Sequence, residues 1–301
     1  MGGFSIAFRR LCQDSGMASP TARPPEPGTI ITVAPTGSVH RPAEVPNLPV
    51  SLDELVATAR DCERVGASRA HVHVRAPGGE PSLDLGRLID TVSALRAETA
   101  LVVQLATAAV GAVGEDERLR VLEAMPDMAS CPLGSVNVGD DVLVNRWPFV
   151  VECHRRMRDR EIVPEYEAYD LGHLAALRRL LAEHGPPVGR VHVNLVMGLP
   201  GGMPGDADTV VAAARLLPPG ASLSVMGLGR VGLPVMLAAL AVGGHLRVGM
   251  QGTLSYAAGE RVRNNAQLVA RAAGLARIAQ RPPLSPTAAR EFLGVRAVDG
   301  D

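Results

Sequence analysis

Apolar residues recur along the chain in two alternating rhythms: short β-branched runs, then stretches with apolar positions at helical spacing. The first run, residues 29–34 (TIITVA), ends in Pro-Thr-Gly. The helix expected over 51–65 has a serine N-cap, Asp53 and Glu54 in its first turn and Gly66 at its end. Further strands are expected at 70–74, 101–105, 128–131, 162–167, 191–196, 222–226 and 245–250. Helices are expected over 85–97, 115–124, 142–159, 171–183, 208–216, 234–242 and 264–279. This alternation over about 250 residues predicts an α/β fold, a single (β/α)8 TIM barrel over 29–296. An open doubly wound sheet with two extra units reads similarly. In either fold the chemistry belongs at the C-terminal ends of the strands. Residues 1–28 read as a disordered leader and 297–301 as a mobile tail.

Composition narrows the chemistry. The chain has 301 residues, 47% of them apolar, enough for a sizeable core. Its 30 basic and 31 acidic residues carry no footprint of a nucleic-acid binder. Every basic residue is arginine; the sequence contains no lysine. Arginine keeps its proton near neutral pH, so Schiff-base aldolases, pyridoxal-phosphate enzymes and Walker-type nucleotide sites are excluded. Cys12, Cys62, Cys131 and Cys153 are scattered, without a CxxC pair, which suits a reducing, cytoplasmic setting. No apolar run reaches the length of a membrane span.

His71 and His73 stand two residues apart on a strand, so both imidazoles point to one face and can approach one ion. Two structural histidines are the alternative. Arg75 follows on that face, suited to grip a carboxylate. Glu165 and Glu167 end the fifth strand on one face beside Asp170, as an acid/base pair, as metal ligands or as plain surface charge. Arg247, Gly249 and Gln251 share a face at the end of the eighth strand. His192 reads as a packed core histidine, and His40 lies in the loop after the first strand. Gly227-Leu228-Gly229-Arg230-Val231-Gly232 fits a dinucleotide fingerprint, and so an NAD-dependent oxidoreductase. It lies at the seventh strand, however, and no acidic ribose partner follows. In a barrel, Gly227 and Gly229 would instead present backbone N–H groups to a substrate phosphate.

Several segments occur together in a specific order. These are Ala34-Pro35-Thr36-Gly37, the HVHVR run at 71–75 with Gly79-Glu80-Pro81-Ser82, and Met128-Ala129-Ser130 through Gly134-Ser135-Val136-Asn137. Pro164-Glu165-Tyr166-Glu167, Gly243-Gly244-His245-Leu246-Arg247-Val248-Gly249, Asn265 and Ala289-Arg290-Glu291-Phe292-Leu293-Gly294 complete the set. The chain thereby resembles the β-keto acid cleavage enzymes. The resemblance implies a (β/α)8 barrel, a homo-oligomer and a divalent metal, usually zinc. It also implies conversion of a β-keto acid and acetyl-CoA into acetoacetate and a new acyl-CoA. It makes His71 and His73 metal ligands and Arg247 an active-site residue, with Ser130 and Asn137 on the substrate.

Departures cluster at the expected mouth. Family members usually end the eighth strand with Gly-x-Glu-Asp, a metal ligand and a catalytic acid; Gln251 and Gly252 stand there here. The Thr/Ser-Thr-Gly-Gly motif after the third strand is Ala106-Thr107-Ala108-Ala109, leaving Thr107 for catalysis. Ala76 and Val39 replace acidic residues found in members of the family. Two readings follow. Either a metal-dependent acyl-transfer enzyme survives with Gln251 as third ligand and Glu165 or Glu167 as base, or an inactive barrel binds a small carboxylate through Arg75 and Arg247.

Overall fold

The structure, a computed structural model, describes residues 28–108 and 113–296. The expected leader (apart from Gly28), Cys12, Ala109 and the expected tail lie outside the described residues. In chain order the strands are β1 (Ile31–Val33), β2 (Arg69–Val72), β3 (Val102–Leu105), β4 (Met128–Pro132) and a hairpin of β5 (Val136–Val138) and β6 (Asp141–Leu143). Then come β7 (Val163–Ala168), β8 (His192–Met197), β9 (Ser222–Gly227), β10 (His245–Val248) and a second hairpin, β11 (Ser255–Ala257) and β12 (Glu260–Arg261). The eight strands outside the two hairpins form a closed parallel barrel. Closure is direct: Thr32 of β1 registers with Arg247 of β10 on one side and Arg69 of β2 on the other. A doubly wound sheet would leave β1 or β10 at an edge, so that alternative is excluded.

The helices are α1 (Leu52–Arg64), α2 (Leu85–Glu98), α3 (Glu115–Arg120), α4 (Trp147–Asp159), α5 (Gly172–His184), α6 (Ala207–Leu216), α7 (Gly232–Ala241), α8 (Asn265–Ile278) and α9 (Pro286–Leu293). Their starts are written in side chains. Ser51 Oγ accepts from Glu54 N while the Glu54 carboxylate accepts from Ser51 N, a reciprocal cap on α1. Asp84, Asp206, Asn264 and Ser285 cap α2, α6, α8 and α9 one way, each side chain accepting from a backbone N–H of the first turn. Among the described residues no helix is long and apolar enough to cross a membrane.

Strand alternation sorts the core into two media. Outward residues such as Ile31, Val33, Val103, Leu105, Val193, Leu195, Leu246 and Val248 pack with the helices in one apolar layer. The inward face carries Thr32, Arg69, His71, Gln104, Ser130, Glu165, Glu167, His192 and Arg247, all buried. A TIM barrel usually fills this space with branched hydrocarbon; here it is filled by hydrogen-bonded charge. The N-terminal end is closed by α9, whose Ala289 and Leu293 pack on Ile30, Val102, Met128 and Val163.

One expected element is corrected. The helix expected over 142–159 begins only at Trp147, because the segment before it folds back as the β5–β6 hairpin. Val138 and Asp141 pair across Gly139-Asp140, and Gly139 takes a φ of +63° that a two-residue hairpin turn requires. Pro148 then sits in the first turn of the helix, where its missing N–H costs nothing.

Candidate active site

The inward polar residues converge at the C-terminal mouth. On β2 and just past it, Nε2 of His71 and Nε2 of His73 lie 3.3 Å apart, with the rings edge-on at 64°. Burial, reinforced by the Arg247 cation, drives the proton affinity of His71 well below the ordinary histidine range. The same causes push the His73 pKa down to about 3. Both rings are therefore neutral at physiological pH and offer lone pairs. Gln104 on β3 registers beside His71, and its side chain favours a proton on that ring against the larger effect of burial. Gln104 donates Nε2–H to Glu165 Oε1 at 2.9 Å. Glu165 thus fixes the Gln104 amide, while Gln104 Oε1 and His71 Nδ1 lie buried without a hydrogen-bond partner among the described residues.

A second network lies against the first. Glu165 Oε2 is hydrogen-bonded by Arg69 Nη2, both side chains being fully buried. Arg247 Nη1 bridges Glu165 Oε1 at 3.2 Å and Glu167 Oε1 at 2.7 Å. Tyr169 Oη donates to Glu167 Oε2 at 2.9 Å, and Arg247 Nη2 reaches Gln251 Oε1 at 3.3 Å. Two arginines thus face two glutamates in the barrel interior, so the pairs balance in charge, as burial demands.

Beyond β10 the chain leaves the barrel at Gly249, where any side chain would strike the backbone of Ala34. The turn returns Gln251 to the mouth, with its amide nitrogen 3.3 Å from His73 Nε2. His71 Nε2, His73 Nε2 and the Gln251 amide nitrogen therefore form a chain with two spacings of 3.3 Å, of which the two imidazole nitrogens are ligand atoms as they stand. Zinc bonds of 2.0–2.1 Å in a tetrahedron put neighbouring ligand atoms roughly 3.3 Å apart. The two histidines fit such an ion; Gln251 fits once its amide turns its oxygen inward. A second set, His71, Glu165 and Glu167, brings ligand atoms within 4.8 Å of one another. Both of its carboxylates already bind Arg247, so an ion there would have to displace the guanidinium.

Other expected site residues take different places. Arg75, expected to grip a carboxylate, instead donates to the backbone oxygens of Gly37 (2.9 Å from Nε), His40 (3.1 Å) and Gly79 (2.7 Å), and so ties the loops after β1 and β2 together. Thr107 Oγ1 donates to Ser130 O at 2.8 Å while Thr107 N donates to Ser130 Oγ at 2.9 Å. The two residues are buried and stitch β3 to β4. Asn137 is exposed on the hairpin, against Gly201. The N–H of Gly229 is spent on Gly252 O at 2.8 Å, and is not free for a phosphate. Gly227 is required by packing: a Cβ there would lie 2.7 Å from Gly232 Cα, so close does α7 approach β9. Packing accounts for Gly227 and Gly232 of the apparent dinucleotide motif, and a φ of +59° for Gly229. Asp170 precedes α5, accepts from Gly172 N at 2.8 Å and does not line the mouth cavity. His192 is a core histidine as expected, its Nδ1 2.8 Å from Ser222 Oγ.

Arg69, Gln104 and Tyr169 were not among the expected site residues. Arg69 had a signal, since it precedes His71 by two and must share its face.

A cavity of about 130 Å³ opens over this floor, touched by His73, Glu167, Tyr169, Arg247 and Gln251. Glu165 lies beneath them and does not line it. A family model described as beta-keto acid cleavage enzyme matches residues 28–295. The chain is 31% identical to a 3-keto-5-aminohexanoate cleavage enzyme of Acetoanaerobium sticklandii over 88% of its own length and 98% of the relative's. It is also 31% identical to a 3-oxoadipate:acetyl-CoA acetyltransferase of Cupriavidus necator, over 90% and 96%. In fold it matches the apo structure of ObcA with a TM-score of 0.70 at 17% identity, covering 83% of this chain and 66% of that one.

Proposed function

The chain belongs to the β-keto acid cleavage enzyme family, and from that premise we propose that it exchanges acyl groups between a β-keto acid and acetyl-CoA with the help of a bound divalent metal. The C2–C3 bond of the keto acid breaks. Its C3 acyl group leaves on the CoA sulfur, and the acetyl group joins C2 to give acetoacetate. The observation that carries this reading is the pair of neutral imidazoles, 3.3 Å apart, of which His73 lines the mouth cavity and His71 lies behind it.

His71 and His73 would hold the ion, zinc being the expected one, with Gln251 Oε1 as third ligand. Bound there, the metal supplies Lewis-acid polarisation of the keto oxygen, which this lysine-free chain has no amine to replace. Glu167 is the carboxylate that lines the cavity and takes the C2 proton. Tyr169 and Arg247 hold its two oxygens, so the acceptor atom is fixed before substrate arrives. Arg247 also offsets negative charge developing on the enolate. Glu165 positions Arg247 from below, and Thr107 and Ser130 brace the β3–β4 wall. The active protein is taken to be a cytoplasmic homo-oligomer.

An inactive carboxylate-binding barrel finds no support, because Arg75, on which it leaned, is committed to backbone carbonyls. The test is mass spectrometry of the zinc-loaded protein with isotopically labelled acetyl-CoA and a panel of β-keto acids. Labelled acetoacetate together with an unlabelled acyl-CoA is the expected result. Absence of both from every acid, with the metal bound, would overturn the proposal.

A further inference from the structure

The mouth cavity is made of two unlike zones. Its floor is polar, and the charges there are matched: Arg247 pairs with Glu165 and Glu167. Its walls are hydrocarbon. Val39 comes from the loop after β1, Leu143 from the hairpin, Val196 from β8, Leu199 from the loop that follows, and Met226 and Leu228 from the end of β9. Among the described residues no charged side chain stands on these walls. Val39 is 69% exposed at the rim, an apolar side chain that the free protein leaves in water.

Resting on the β-keto acid reading above, we infer that the substrate is a 3-oxo acid whose acyl side chain is neutral and aliphatic. The reacting keto acid end belongs on the polar floor, so the remainder of the molecule must lie along the walls. An aliphatic side chain there gives up water to apolar contact and covers Val39. An ammonium group or a second carboxylate in the same place would lose its hydration with no counter-charge to meet it. The cation on the floor is already shared, Arg247 lying between Glu165 and Glu167. A second cavity of about 130 Å³ flanks His73 on its other side, with Glu117 of α3 in its lining. It touches neither Arg247 nor Glu167, so an amine held by Glu117 would draw the substrate away from the paired charges.

Three acids of similar length separate the possibilities: 3-oxohexanoate, 3-keto-5-aminohexanoate and 3-oxoadipate, each assayed with acetyl-CoA on the zinc-loaded protein and each titrated by calorimetry. The aliphatic acid should lead in kcat/KM by on the order of 100-fold, the scale set by leaving a buried charge unpaired. Each methylene added to it should gain about fourfold until the cavity is filled. A lead for the amine would overturn the inference in favour of the Glu117 side, and a lead for the dicarboxylate would overturn it outright. If nothing turns over but the aliphatic acid binds tightest, the cavity inference holds and the reaction fails. If none of the acids binds, both fall. Leu199→Arg, at a partly exposed loop position, should raise activity or binding with 3-oxoadipate at least about tenfold relative to 3-oxohexanoate. An unchanged ratio would show that this wall does not meet the side chain.

Discussion

Gln251 meets His73 nitrogen to nitrogen, its amide Nε2 3.3 Å from the imidazole Nε2 that would bind a metal. The amide oxygen is turned away, toward Arg247 Nη2. Turning it inward would set the amide NH2 against the guanidinium, donor against donor. Gln251 is thus a costly third ligand, while a carboxylate at this position could accept from Arg247 and bind the ion together. Gln251→Glu should tighten zinc binding at least about tenfold, about 1.4 kcal/mol, as read by competition with a chromophoric chelator. Unchanged affinity would remove residue 251 from the ligand set.

Gln104 offers a second handle on the same ion. It donates to Glu165 and stands in register beside His71, where its side chain favours a proton on the ring. Gln104→Leu keeps the volume and removes that polar neighbour. Zinc affinity should fall about 10–100-fold, the usual cost of losing a group that orients a metal-binding histidine. A parallel thermal melt of the metal-free protein separates this from unfolding. Equal affinities in the two proteins would show that His71 is oriented by packing alone.

The Arg69–Glu165–Arg247 network makes a prediction about stability. Glu165→Leu would strand the buried Arg69 guanidinium and leave Arg247 with Glu167 alone, a loss of about 3–5 kcal/mol in urea unfolding. Removing a cation as well, in Arg69→Met/Glu165→Leu, should recover a large part of it, because well-packed hydrocarbon often replaces a buried ion pair at little net cost. A single-variant loss under about 1 kcal/mol would mean that water reaches this network.

The barrel and most of its elements were legible because period-two and helical spacing are local properties. Ser51 to Glu54 caps α1 where the sequence places it. The site was legible only in part. His71 lies on β2 and His73 continues its extended course one residue past the end, so their convergence follows from alternation alone. Arg75 continues that alternation, yet it lies past the end of β2, where the loop backbones of Gly37 and Gly79 capture its donors. Which arginine meets which carboxylate is set by barrel closure, which carries Arg247 of β10 across to Glu165 and Glu167 of β7. No local pattern encodes that meeting. The β5–β6 hairpin was obscured by apolar residues, Val142 and Val144, whose spacing also suits a helix start; its signal was the Gly139-Asp140 turn.

Two buried histidines away from the metal position dictate a response to acid. Burial holds His192 and His245 well below the ordinary histidine pKa. His245 Nδ1 accepts from Ile30 N at 3.0 Å, and its ring packs edge-on against Phe292 of α9. Above about pH 6.5 both rings are neutral in the folded and unfolded chains, and their contribution to stability is fully present. As pH falls below 6.5 the unfolded chain takes up protons that the folded protein refuses. Stability must then drop, by about 1.4 kcal/mol per pH unit for each histidine, or about 2.7 for the pair. Total stabilities of about 5–15 kcal/mol leave room for only a few such units. Urea midpoints measured from pH 8 down to pH 5 should therefore be flat above pH 6.5 and fall steeply below it. His192→Asn should lower the starting stability yet reduce the slope by about 1.4 kcal/mol per unit, because one proton-uptake site of the unfolded chain is gone. A variant slope equal to that of the parent protein would show that His192 already carries its proton in the folded barrel beside Glu165, whose Oε2 is 3.6 Å from its Nε2.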